Sequence, residues 1–155
     1  MIRRVYAYAA YRLGHGPEAE DVTSETCERA LRYRSSYDPA RGDPAAWMIG
    51  IARRVIEDPR RRRELRVDAV EDVVEGPEEG GAERLDVRAA VALLSAGDRE
   101  LVALRYGADL TAREIAEALG MQTNAVEVAL HRVRKRLLKQ LSPPAAHPDE
   151  PSRTV

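Results

Sequence analysis

The sequence predicts an all-α protein, two small helical domains joined by an acidic linker, and three observations carry that prediction. Apolar residues recur at helical spacing in both halves of the chain, and no stretch alternates apolar and polar residues for long enough to make a strand. Charge changes sign in blocks. Residues 1–63 hold 13 arginines against 9 acids, a net of +4, whereas residues 64–84 carry −6. Residues 85–141 return to +2 and residues 142–155 carry −1, so the total of −1 conceals two cationic modules on either side of an anionic connector.

The elements follow in order. Ile2, Val5, Tyr6, Ala9, Ala10 and Leu13 form the stripe of an amphipathic helix that Gly14, Gly16 and Pro17 end. Pro17 then opens a second helix to about Arg34, with Ala19, Val22, Thr26, Ala30, Cys27 and Leu31 on its apolar side. Glu18, Asp21, Glu25 and Arg32 lie on the other side. After the turn-rich "SSYDPARGDPAAW", Asp43 reads as an N-cap ahead of Pro44, and Trp47, Met48, Ile51 and Val55 stripe a third helix that Pro59 ends. Residues 64–84 read as a linker, with a short helix over Val67 to Val74.

The C-terminal module reads as four helices: Leu85 to Leu94, a second capped by Ser95 with Asp98 and running through Tyr106, a third capped by Thr111 with Glu114, and a long fourth opened by Gln122 or Thr123. The proline-rich residues 142–155 have no core-forming face and are expected to be disordered.

Composition narrows the function. No apolar run approaches the roughly twenty residues that span a bilayer, and the start of the chain lacks the order of a secretion signal, so a soluble, cytoplasmic protein without membrane insertion is expected. Cys27 is the only cysteine, and His15, His131 and His147 form no ligand pattern, so neither a metal nor a cofactor is expected. No nucleophile with a base and no phosphate-cradling glycine loop is apparent, which points away from an enzyme and from a small-molecule substrate.

The informative motif lies between Thr111 and His131. Ala116 is small where two helices must cross closely, Gly120 suits a left-handed turn, and Val126 packs the second helix back onto the first. These spacings, with Ile115, Leu119 and Leu130 completing a core, form a helix-turn-helix signature. The second helix buries Val126, Ala129, Leu130, Val133 and Leu137. Its N-terminal residues Gln122, Thr123, Asn124 and Glu127 are placed to read base edges, with Val128 able to touch a thymine methyl and His131 on the same face. Arg132, Arg134, Lys135 and Arg136 are placed for phosphates. Glu127 has two readings: it accepts from a cytosine amino group, or it faces solvent and pairs with Arg134 or His131.

The stretches "EDVTSETCERALRY", "YDPARGDPAAWMIGIARRVIEDPRRRR" and "LLSAGDRELVALRYGADLTAREIAEALGMQTNAVEVALHRVRKRL" resemble, in order and separation, bacterial RNA polymerase sigma factors of the extracytoplasmic-function (ECF) group of the sigma-70 family. The resemblance covers residues 1 to about 141. It implies a region 2 domain over 1–63 that binds core RNA polymerase and melts the minus-ten element. It also implies a region 4 helix-turn-helix domain over 85–141 that binds the minus-thirty-five element of promoter DNA. Glu18, Asp21, Glu25 and Arg32 then fall on the polymerase-binding face. Tyr37 falls in the loop that captures a flipped base, and Arg53, Arg54, Arg60, Arg61, Arg62 and Arg63 form the basic minus-ten stretch. Trp47 is assigned to the core, and an anti-sigma factor is a further implied partner.

The chain departs from the family pattern at Ser24, Cys27, Arg54, Pro59 and the run Glu127 to Ala129, so promoter sequence does not carry over from relatives. Two other functions compete. A stand-alone regulator of the LuxR type explains the helix-turn-helix but not residues 17–63, and a degenerate sigma that only binds partner proteins is motivated by the early start of the first helix and by Pro59.

Overall fold

The structure, a computed structural model, describes residues 1–61, 63 and 82–142, and every regular element among them is helical. The N-terminal module contains α1 (Ile2–Leu13), α2 (Pro17–Arg32) and α3 (Pro44–Glu57), with two 3-10 turns between α2 and α3. The C-terminal module contains α4 (Ala82–Ala92), α5 (Ala96–Val102), a π-helical turn (Ala103–Gly107), α6 (Ala112–Leu119) and α7 (Thr123–Leu141). The linker, and the short helix expected over Val67 to Val74, lie outside the described residues, save that Ala82 to Arg84 already belong to α4. Residues 143–155 and Arg62 lie outside them too.

Local chemistry accounts for the boundaries. Gly14, with φ of 91°, stops α1. The Asp43 side chain accepts from Ala45 N at 3.2 Å and opens α3 ahead of Pro44. Pro59 does not simply end the third helix. Asp58 breaks it with ψ of 124°, accepts from Arg60 N at 3.0 Å, and helical turns resume from Pro59, because proline fits a first helical turn where its missing N–H costs nothing. The expected helix through Tyr106 likewise divides: α5 gives way after Val102 to a π turn, and Asp109 adopts a left-handed φ of 55° before α6.

The three N-terminal helices bury Val5, Ala9, Val22, Ile49, Ala52 and Val55 between them. The apolar side of α2 stops short of Leu31, which is 69% exposed.

The two modules do not stand apart. One apolar core runs from Val5 to Val133, and α1 is its hinge, packed on α2 and α3 on one side and on the π turn and α5 on the other. The second face of α1 was not visible as an apolar stripe because it mixes Arg4, Tyr8, Tyr11 and Arg12, polar at the tip and apolar along the body. Tyr8 is fully buried there.

Candidate nucleic-acid interface

The helix-turn-helix forms as its sequence dictates. Thr111 and Glu114 make a reciprocal capping box at the start of α6, with Glu114 N to Thr111 Oγ1 at 3.2 Å and Thr111 N to Glu114 Oε2 at 2.8 Å. Gly120 ends α6 in the left-handed region, φ 64° and ψ 34°, and Met121 N donates to Ala116 O at 2.9 Å to close the turn. Ile115, Ala116, Val126 and Val133 are buried where α6 and α7 cross, while Ala129, Leu130 and Leu137 are half-buried.

Opposite that core, α7 presents a continuous open face. Gln122, Thr123, Asn124, Glu127, Val128, His131, Arg132, Arg134 and Lys135 are all exposed. Gln122 is the N-cap residue but makes no side-chain cap bond, so first-turn N–H groups stay available to an acceptor such as a phosphate oxygen. Glu127 forms no ion pair with His131 or Arg134 among the described residues, which leaves its carboxylate as an acceptor on an otherwise cationic surface. Val128 is 43% exposed and Met121, in the turn, 41%; the sequence reading overlooked Met121, because an apolar residue beside a helix-turning glycine reads first as core. Arg136, expected at a phosphate, instead pairs with Asp98 of α5 and ties α7 to its own module.

In the N-terminal module the predicted residues divide into open and committed. Asp21 is exposed on α2, as is Arg32, which pairs with Glu28 at 2.8 Å, and Glu18 is half-buried. Glu25 is held between Arg29 at 2.5 Å and Arg61 at 2.7 Å. A residue assigned to DNA is thereby joined to one assigned to polymerase, and both line one shallow cleft with Asp21 and Arg29.

Arg54, Arg60 and Arg63 are exposed and cationic. Arg53 turns inward: its Nε donates to Glu100 at 2.9 Å and its Nη1 to Ala118 O at 2.6 Å, at the end of α6 where a helix favours a cation. Tyr37 packs against Trp47, ring centroids 5.4 Å apart and tilted by 51°, and donates from its hydroxyl to Gly42 O at 3.0 Å. The pair braces the loop from Ser36 to Gly42.

The residues that sequence reading missed line the seam between modules. Glu100 is 7% exposed and accepts from Tyr8 Oη at 3.0 and 3.1 Å, from Arg53, and from Arg12. Arg4 reaches across to Ala108 O at 2.6 Å and Asp109 O at 3.2 Å while pairing with Asp43 at 3.0 Å. Burial pushes the Tyr8 hydroxyl up to about 12 despite Arg12 and Arg53 nearby. The Asp43 carboxyl lies below its ordinary range, chiefly because Ala45 N–H bonds to it and then because of Arg4.

Comparison with known proteins places both modules. Residues 1–66 match the family described as Sigma-70 region 2, and residues 84–137 match Sigma-70, region 4. The chain is 31% identical over 147 residues to the ECF RNA polymerase sigma factor BldN of Streptomyces coelicolor, covering 88% of this chain and 56% of BldN, so it spans little more than half of that relative. It is 33% identical over 150 residues to the ECF sigma factor SigF of Caulobacter vibrioides, covering 89% of this chain and 79% of SigF. Among solved structures, the sigma factor RpoE in complex with the anti-sigma factor NepR from Bartonella quintana superposes with a TM-score of 0.75 over 90% of this chain and 91% of RpoE, at 23% identity. With paired helical modules in the order of regions 2 and 4 and a relative one-third identical along nearly its whole length, the chain belongs to the ECF group of RNA polymerase sigma factors in the sigma-70 family.

Proposed function

We propose that this chain binds core RNA polymerase and directs it to promoters, residues 1–63 serving the polymerase and the minus-ten element and residues 85–141 the minus-thirty-five element. The chemistry of transcription belongs to the polymerase; the chain contributes binding and positioning. The observation that carries the reading is the open, largely cationic face of α7 behind a correctly turned Gly120, in a chain whose α2 offers a separate charged surface around Asp21.

In this reading Gln122, Thr123, Asn124, Glu127 and Val128 meet base edges, and His131, Arg132, Arg134 and Lys135 meet the phosphates and groove walls. Glu18, Asp21, Glu25 and Arg32 meet polymerase, and Arg54, Arg60 and Arg63, with Arg62, meet the minus-ten duplex. Arg53 and Arg61 join them only after leaving Glu100 and Glu25. Tyr37 contributes to a melted strand by way of its brace on Trp47. The Bartonella relative is seen with an anti-sigma factor, and we assign a partner of that class to this chain as well.

Run-off transcription with core polymerase and genomic promoter fragments tests the reading. Discrete transcripts that depend on the chain are expected. The Asp21→Ala, Glu25→Ala double variant is expected to lose them through weaker core binding while keeping DNA binding by α7. Core binding without transcripts from any promoter would instead favour an interaction-only protein.

A further inference from the structure

The tyrosines of the chain are engaged unequally. Tyr8 is buried, Tyr6 lies edge-on to His15, Tyr11 packs against the core, and Tyr37 is committed to Trp47 and to Gly42 O. Tyr33 is different. It closes α2 as the C-cap residue, it is 53% exposed, and its hydroxyl has no hydrogen bond among the described residues. Its backbone is nevertheless fixed: Tyr33 N donates to Arg29 O at 2.9 Å, and Tyr33 O accepts from Ser36 N at 2.8 Å and from Ser36 Oγ at 2.7 Å. A ring held out on a pinned backbone loses little freedom when something stacks on it.

Uncommitted cations flank it. Arg34 and Arg41 are exposed, and neither side chain has an ion pair or a hydrogen bond among the described residues. The single acid of residues 33–42, Asp38, has its carboxylate bonded to Ala40 N at 3.0 Å. Bonds from Tyr37 N to Arg34 O at 3.2 Å and from Arg41 N to Asp38 O at 3.0 Å set both arginines on the 3-10 turns that follow Tyr33. Tyr106, also 53% exposed, lacks such company, because its neighbour Arg105 is bonded to Leu110 O at 2.9 Å. An aromatic face with cations beside it suits an unpaired base and its phosphates, since every base has a face to stack and every link carries a charge. A protein partner suits it less: exposed Leu31 is two residues away and so on a different side of α2, and Tyr33 does not extend an apolar patch.

We propose that Tyr33, Arg34 and Arg41 form a further single-strand site, on the α2 side of the loop, that stacks an unpaired DNA base on Tyr33 and holds the neighbouring phosphates with the two arginines. Tyr37 and Trp47 shape the loop, and Tyr33 takes a base beyond it. The site rests on these three residues alone; that its strand is the melted minus-ten element rests on the promoter reading given above.

The test uses the full chain and a thymidine-rich single-stranded deoxyoligonucleotide carrying one 2-aminopurine, whose fluorescence falls when it stacks on an aromatic ring. Unlabelled duplex DNA in excess occupies α7. Quenching on binding is expected. Tyr33→Ala is expected to abolish the quenching and to weaken binding about tenfold, Tyr33→Trp to restore both, and Tyr106→Ala to change neither. Arg34→Ala and Arg41→Ala are each expected to reduce the slope of log K against log salt by about 0.7, the value for one phosphate of a single strand. Helical content should be unchanged throughout, since all three side chains are exposed. The site is overturned if the unsubstituted chain gives no quenching, or if Tyr33→Ala keeps it. Quenching that persists while Tyr33→Ala weakens binding to core polymerase would make this face a docking surface for protein instead. The quenching needs no promoter, so absence of transcripts in the run-off assay leaves it unchanged, and failure of the promoter reading and failure of the site are told apart.

Discussion

The outer face of α7 and the inner face of α1 are both rich in polar side chains, yet they spend them oppositely. On α7 the polar side chains between Gln122 and Lys135 point outward, exposed and without an ion pair among the described residues, ready for a partner. On α1, Arg4, Tyr8 and Arg12 are spent on the protein itself, each bonded across the seam to residues at least 88 positions away. The contrast teaches where binding capacity is kept and where it is stored. Arginine serves both roles, and only its partner reveals which.

The largest way to break that contrast is to remove the shared acceptor. Glu100→Ala strands the guanidinium groups of Arg12 and Arg53 in a seam that largely excludes water, and breaking a buried pair from one side costs about 3 kcal/mol or more. The unsubstituted chain, with its continuous core, is expected to unfold in urea in one transition. The variant is expected to show two, the earlier at lower urea, because the modules no longer support each other. Unfolding followed by both near- and far-ultraviolet dichroism checks this.

A smaller effect comes from Tyr8. The unfolded chain gives up this proton near 10 and the folded chain near 12. Between those values the unfolded state holds fewer protons, so stability falls as pH rises, by at most about 3 kcal/mol at about 1.4 per unit. Below pH 10 the contribution is fully present. Tyr8→Phe is expected to flatten urea midpoints over that alkaline window, although it loses a bond to Glu100 at every pH.

These two sites also mark how far the sequence could be read. The helix-turn-helix was legible because its determinants are local: Thr111 caps Glu114 three residues on, and Gly120 turns the chain where it stands. Exposure along α7 followed from the same period. The seam was not legible, since Glu100 reads as an ordinary surface acid on an amphipathic helix and only the tertiary fold brings Tyr8, Arg12 and Arg53 to it. Arg53 and Arg61 were grouped with their exposed neighbours because composition gives each arginine a charge but no address. A faint signal did exist in α1, where Arg4, Tyr8 and Arg12 recur every four residues opposite the apolar stripe.

On the reading face the expected effects concern recognition rather than stability. Glu127→Ala should leave the urea midpoint within about 0.5 kcal/mol of the parent, as for a surface change. It should nevertheless relax preference at one base pair by about 1–3 kcal/mol if the carboxylate accepts from a cytosine. Binding to a panel of single-position promoter variants reads this out. Equal preference before and after would place Glu127 in solvent, on the same footing as any other helix-surface acid.

The smallest effect separates two arginines that composition cannot. Arg134 is exposed on α7, so if it meets one phosphate, Arg134→Ala should lower affinity for every sequence and reduce the slope of log K against log salt by about 0.9. Arg53 carries the same charge, but its guanidinium is held by Glu100 and Ala118 O, and a cation already neutralised releases no counterions from DNA. Arg53→Ala should therefore leave the salt slope of the free chain unchanged, and alter it only when polymerase is present. If both substitutions flatten the slope equally in the free protein, Arg53 is available to DNA despite its bonds to Glu100 and Ala118, and the inner and outer faces differ in geometry but not in function.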